Sequence, residues 1–175
     1  MGATGEIIAA SARRTQQYAE RLLNAVTYEK FARKPVFEQG AKVVDTNHPC
    51  FVYGHLALYP GKVVQMIGVS ARDAEVPTNW DELFRAGAEC QDDPDRKIYP
   101  DMKVVTEKFF AGYKAAIEAV AQLPDAKFSE QTPNERYREF FPTIGGLCNF
   151  LLNNHVSMHL GQVSVGRRCY GLAAV

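Results

Sequence analysis

Apolar residues recur along the chain with helical spacing, in four long segments separated by proline, glycine and polar stretches. The first segment begins at Thr4, a residue type that caps helices, and is predicted to continue to about Arg33, with Pro35 just beyond its end. The second is predicted from Asn47 to about Ile67. Both have polar residues between the apolar ones, which is typical of amphipathic helices that pack against other elements.

The second helix carries its own stop and break signals. Gly68 follows its last apolar residue and is expected to end it. Pro60-Gly61 lies inside it, and proline removes a backbone donor and clashes with the carbonyl four residues back. A kink or break is therefore expected at this point.

Two more helices are predicted in the second half of the chain. The third runs from about Asp101 to Leu123, where Pro124 stops it. The fourth opens at Pro142 and runs to about Tyr170. The connection between the first two helices, residues 36–46, is predicted to have no regular structure.

Residues 69–99 are the least regular part of the chain, and a short helix at Asn79–Phe84 is predicted inside them. A second short segment is predicted at 134–141. The sequence shows no strand-like alternation and no internal repeat. It therefore predicts one domain over residues 1–175: an all-α four-helix bundle with a longer irregular insertion between its second and third helices.

Composition narrows the classes of partner. The chain has 175 residues, of which 46% are hydrophobic, enough for one domain with a substantial core. Twenty Lys and Arg balance twenty Asp and Glu, whereas a protein that binds nucleic acid usually carries a basic excess. No apolar run approaches the roughly 18 residues of a membrane span, and the start of the chain lacks the features of a signal peptide. A small-molecule substrate is expected, with no nucleic acid and no membrane as partners.

The four cysteines are Cys50, Cys90, Cys148 and Cys169, and no two of them form a Cys-x-x-Cys pair. An even count permits two disulfides, but isolated cysteines in a chain with a core are more often buried thiols. Buried thiols indicate a reducing compartment, and a cytoplasmic location is predicted.

The four histidines form two close pairs about 100 residues apart, one on the second predicted helix and one on the fourth. His155 and His159 are four residues apart, which places them about 40° apart in projection and about 6 Å apart along a helix axis. Their rings can therefore converge on one metal ion. The alternative to a metal site is that both histidines are core residues that make ordinary hydrogen bonds. Each neutral ring would then need one hydrogen-bond donor and one acceptor as partners, and an apolar stripe offers few of either.

His55 is the best candidate for a third ligand. His48 lies about 10 Å further along the same helix, too far to share the ion, and is predicted at a helix terminus with some solvent access. Val156 stands where a zinc protease would carry its glutamate, and no Glu-x-x-His occurs, so a di-iron carboxylate site is disfavoured. His55, His155 and His159 are thus the predicted ligands of a divalent metal, with zinc, nickel or iron suited to imidazole.

Three further side chains are candidates for the surroundings of the metal. Gln162 follows His159 by three residues and either orients a ligating ring or packs through its own hydrogen bonds. Tyr53 and Tyr59 are candidate cleft residues, although aromatic residues at helical spacing are more often part of the core. No residue is assigned a catalytic role.

The chain resembles the DinB/YfiT-like family of metalloenzymes over essentially its whole length. The match is carried by Gly54-His55-Leu56 on the second helix, by the HxxxHxGQ pattern at 155–162, and by the arginine-rich end at 167–172. The resemblance implies a DinB superfamily four-helix bundle with a three-histidine divalent metal site, onto which His55, His155 and His159 map. It also implies low-molecular-weight-thiol S-transferase or thiol-dependent isomerase activity. The 70–99 insertion departs from a minimal family bundle.

Three functions are consistent with these residues. The first is a metal-dependent transferase or hydrolase, in which the open metal position activates a thiol for attack on an electrophile or a water for hydrolysis. The second is a non-enzymatic helical bundle, a homodimer, that binds a metal or a small ligand without turnover. The third is a b-type haem protein with two of the same histidines as axial ligands.

Overall fold

A computed structural model describes residues 2–37, 40 and 42–175. The chain is mostly helical, with 62% helix and 4% strand, which confirms the all-α class. Residues 38, 39 and 41 of the predicted connection lie outside the described residues. Among the helices of the described residues, none has the length and hydropathy that a membrane crossing requires.

The first helix, α1, spans Ala3–Leu22 and is shorter than predicted. The sequence places no glycine or proline at its end. Instead, the guanidinium of Arg167, which lies 145 residues further on, donates hydrogen bonds to the carbonyls of Leu22 and Asn24. Arg167 is almost completely buried and satisfies carbonyls at the helix end, and the chain leaves the helical path at Ala25, whose φ is 59°. A separate short helix, α2, follows at Tyr28–Phe31.

The connection after α2 contains a small antiparallel hairpin that the sequence did not predict. Strand β1 is Val36–Phe37 and strand β2 is Lys42–Val43. Val36 lies opposite Val43 in the pairing. With two residues on each side, the hairpin is too short to produce a recognisable alternation of apolar and polar positions.

The second predicted helix is divided into α3, Pro49–Ala57, and α4, Tyr59–Ile67. The break falls at Leu58, two residues before Pro60, because proline has no N–H to donate to the carbonyl of residue 56. Gly68 ends α4 with a left-handed φ of 79°, as predicted. Every residue of α3 is buried.

Helix α6, Met102–Ala121, packs against α1, α3 and α4. Two short helices follow it, α7 at Asp125–Ser129 and α8 at Glu135–Arg138. The buried face of α6 carries its aromatic and branched residues: Val105, Phe109, Tyr113, Ile117 and Val120.

The fourth predicted helix consists of three segments that continue one another. Helix α9 is Ile144–Asn149, a π-helical turn spans Phe150–Asn154, and α10 is His155–Cys169. Thr143 caps the start, with its hydroxyl accepting from the N–H of Gly146. Turns of π-helix are rare and occur often at functional sites.

The insertion at 69–99 packs against the long helices rather than extending into solvent: residues 72–74 contact α4 and α6, and residues 80–84 contact α3. The short helix α5, Trp80–Phe84, confirms the predicted one and buries both of its terminal aromatic rings. The carboxylate of Asp93 accepts hydrogen bonds from the backbone N–H groups of residues 97, 98 and 99, which fixes the following loop. The insertion therefore covers the face of α3 that the long helices leave free.

Candidate metal centre

Three of the four histidines converge between α3 and α10. Nitrogen atoms of His55, His155 and His159, one from each ring, all lie within 4.8 Å of one another. Nε2 of His55 is 3.3 Å from Nε2 of His155. His55 is 5% exposed and His155 is 8% exposed, while His159 is half-buried. The structure thus brings together the three histidines that the sequence singled out.

The ring of His55 is oriented by the insertion. Its Nδ1 donates to the carbonyl of Phe84 in α5, with a nitrogen–oxygen distance of 2.7 Å, so the lone pair lies on Nε2. The ring of Phe84 rests directly on Gly54. A Cβ at position 54 would lie 2.4 Å from Phe84 Cε1, so only glycine permits this packing.

The ring of His159 is oriented by two amide side chains. Nδ1 of His159 donates to Oε1 of Gln162 over 3.3 Å, and Nδ2 of Asn47 donates to the same oxygen over 3.2 Å. These bonds leave Nε2 of His159 as the acceptor. The sequence analysis identified Gln162 as a candidate but placed Asn47 only at the start of a helix. A polar residue at a helix start does not reveal that it also contacts a residue far along the chain, as Asn47 does here with Gln162.

His155 is held by aromatic packing. Its ring lies 4.4 Å from that of Tyr59 and 5.6 Å from that of Phe150, measured between centroids. Its Nδ1 is buried and has no hydrogen-bond partner among the described residues. Tyr59 is thus a neighbour of the cluster, whereas Tyr53 belongs to the core and donates its hydroxyl to the carbonyl of Ala19.

Burial keeps all three rings neutral near pH 7. Loss of solvation is the main cause that lowers the pKa of His55 to about 4 and that of His155 to about 3, and the positive charge of Lys62 contributes to both shifts. Burial also lowers the pKa of His159. A neutral imidazole presents a lone pair, which is the form that binds metals.

His48 lies outside the cluster and is completely buried, so the predicted solvent access is wrong. Its position at a helix terminus is confirmed, since its Nδ1 accepts from the N–H of Phe51 at the start of α3. Its Nε2 donates to the carbonyl of Gln91 over 2.8 Å, and the ring of Tyr99 packs nearly perpendicular to it at 5.0 Å between centroids. Both partners belong to the insertion, which covers the ring.

The buried His48 predicts a loss of stability in acid. Burial lowers its pKa from 6.5 to about 4, although Asp92 and Asp93 oppose the shift. Between these pH values His48 is protonated in the unfolded chain but stays neutral in the native protein. The free energy of unfolding therefore falls as the pH drops from 6.5 towards 4. Between pH 7 and 4.5 the contribution is about 2 kcal/mol.

Urea unfolding of the wild-type chain and of His48→Asn at the two pH values measures this contribution. Asparagine can still cap α3 but does not titrate. The wild-type protein should lose more stability on acidification than the variant. Equal losses would show that His48 does not titrate on unfolding.

All four cysteines are free thiols. Cys50, Cys90 and Cys148 are buried, as predicted, while Cys169 is half-buried. Burial raises the pKa of Cys90 to about 11 and that of Cys148 to about 12, so neither is a thiolate near neutral pH.

No protein-family model matches the chain, and no curated protein matches it.

Proposed function

We propose that the chain is a divalent-metal enzyme with a DinB/YfiT-like four-helix bundle and with His55, His155 and His159 as the metal ligands. The proposed reaction is a thiol-dependent S-transfer or isomerisation, or a metal-dependent hydrolysis, on a small-molecule substrate. The observation that supports it is the convergence of three buried, neutral imidazoles within 4.8 Å.

Imidazole nitrogens are suitable ligands for a zinc, nickel or iron ion, and the His55–His155 pair has the spacing that such an ion requires. Metal–nitrogen bonds of about 2.1 Å at a tetrahedral angle require nitrogens about 3.4 Å apart. The Nε2 atoms of His55 and His155 are 3.3 Å apart. His55 and His159 each donate their other N–H to an oxygen, which is the usual arrangement of metal-binding histidines. Three protein ligands leave a fourth position for a substrate group.

The chain's own residues prepare this site for chemistry. When bound, the divalent ion lowers the pKa of a thiol or a water in the fourth position and so supplies a nucleophile near neutral pH. The carbonyl of Phe84 and the amide of Gln162 hold two of the rings in the ligating tautomer. Burial raises the pKa of Tyr59 to about 12, so this tyrosine, whose ring packs on His155, keeps its proton near neutral pH.

The test compares metal-loaded protein with protein stripped by a chelator. Metal content and an absorption spectrum come first, followed by conjugation of cysteine to chlorodinitrobenzene and hydrolysis of a nitrophenyl ester. We expect one non-haem metal ion per chain and a reaction only in the loaded protein. Bound metal without turnover of either substrate class would favour the non-enzymatic metal-binding alternative, and a Soret band in place of a non-haem metal would favour the haem alternative.

A further inference from the structure

A cavity of about 530 Å³ opens beside the histidine cluster. Its walls come from α4, from the loop and short helix at 133–137, and from α9 with the π-helical turn. Small-molecule sites typically enclose roughly 300–1,000 Å³, so this cavity is of the size that holds an organic ligand.

The cavity and the cluster share a wall. The ammonium of Lys62, which lines the cavity, lies 4.7 Å from the centre of the Tyr59 ring. Two of the clustered histidines also pack on that ring, His155 at 4.4 Å and His55 at 5.1 Å between centroids. Leu151, also in the lining, precedes His155 by one turn. One aromatic ring therefore separates a cation in the cavity from a candidate metal ligand.

The residues that line the cavity include one positively charged side chain and several apolar ones. Lys62 is its only charged side chain, and none of the carboxylates in the described part of the chain lies within 4.0 Å of the ammonium. Met66, Leu147 and Leu151 supply apolar surface. A ligand that matches this lining carries a negative group on an apolar body.

We propose that the cavity binds an organic carboxylate whose carboxylate group pairs with Lys62 and whose apolar body lies on Met66, Leu147 and Leu151. A single lysine suits a monoanion, whereas sites for phosphate usually add arginines or a helix N-terminus. The placement of the ligand's reacting end at the histidine cluster rests on the proposed function. Binding in the cavity does not depend on it.

Isothermal titration of octanoate into the full chain tests the proposal, with octan-1-ol and octylamine as probes that share the same apolar body. Octanoate should bind more tightly than either. Lys62→Met keeps the length of the side chain without the charge and should weaken octanoate binding roughly tenfold, the effect of losing one charge-assisted hydrogen bond. Lys62→Arg should retain the affinity.

A second pair of variants tests the position of the ligand. Gln65 lies on the exposed side of α4 and lines the cavity, so Gln65→Trp should occlude it while Gln65→Ala should not. Octanoate binding that is unchanged in Lys62→Met, or as tight in Gln65→Trp as in Gln65→Ala, would overturn the proposal.

Repeating the titrations on chelator-treated protein separates the two proposals. Octanoate affinity that depends on Lys62 in the metal-free protein supports the cavity site on its own. If the wild-type chain held no metal but kept this dependence, the proposed function would fail and the carboxylate site would stand. If octanoate bound only through the metal, with no effect of Lys62, the carboxylate site would fail instead.

Discussion

A His155→Ala variant should lose the ability to bind a divalent metal at the proposed site while keeping its helical content. Nε2 of His155 lies 3.3 Å from Nε2 of His55, close enough for both atoms to bind the same ion. Disrupting the hydrogen bonds that metal ligands make to surrounding residues lowers metal affinity about 10- to 100-fold. Removing a ligand itself should lower the metal affinity by more than about a hundredfold. Alanine is the best helix former and should preserve the start of α10.

Elemental analysis and competition with a chelator measure the loss, and circular dichroism checks the fold. His48→Asn is the matched control, because it removes a buried histidine that lies outside the cluster and leaves a residue able to cap α3. The control should retain stoichiometric metal. Full retention of metal in a folded His155→Ala protein would refute the ligand assignment.

Two glycine-to-alanine changes beside the histidines should have opposite effects on stability. At Gly54 the new Cβ would lie 2.4 Å from the ring of Phe84, and overpacking of this kind costs about 1–3 kcal/mol. At Gly161, in the exposed face of α10, nothing lies within 4 Å of the new Cβ. Alanine there should stabilise the helix by about 0.5–1 kcal/mol.

Gly54→Ala should also weaken metal binding, because a displaced Phe84 moves the carbonyl that orients His55. Urea unfolding of the chelator-treated variants gives the stability effect, and chelator competition gives the affinity. Gly161→Ala should leave the affinity unchanged. A Gly54→Ala protein with wild-type stability would show that the helix can shift away from Phe84 at little cost.

The histidine cluster was predictable because its signals are local. Four-residue spacing on a helix places His155 and His159 together whatever the rest of the fold, and few histidines compete for the role of third ligand. Gly68 and Pro124 likewise mark helix ends through their own backbone properties. The His155–His159 pair and these two helix ends depend on neighbouring residues alone, whereas His55 followed from the small number of histidines in the chain.

The features that sequence reasoning missed depend on distant parts of the chain. The carbonyl at the end of α1, that of Leu22, accepts a hydrogen bond from Arg167, which lies 145 residues away. His48 is buried because the insertion folds over it. The partner of His55 is a backbone carbonyl, that of Phe84, and every residue has one, so no side-chain pattern could indicate it.

The π-helical turn at 150–154 also changes which residues of the last helix are aligned. In an α-helix each step of four residues advances about 40° around the axis, so the steps from Leu147 through Leu151 and His155 to His159 would spread over about 120°. In a π-helical turn each backbone hydrogen bond spans five residues instead of four, so one turn contains more residues. The four residues from Leu151 to His155 therefore rotate less around the helix axis than they would in an α-helix. Leu147, Leu151, His155 and His159 therefore share a narrower stripe of the helix surface than they would in an unbroken α-helix. Two side chains that line the cavity and two of the three clustered histidines thus lie on one side of the last helix.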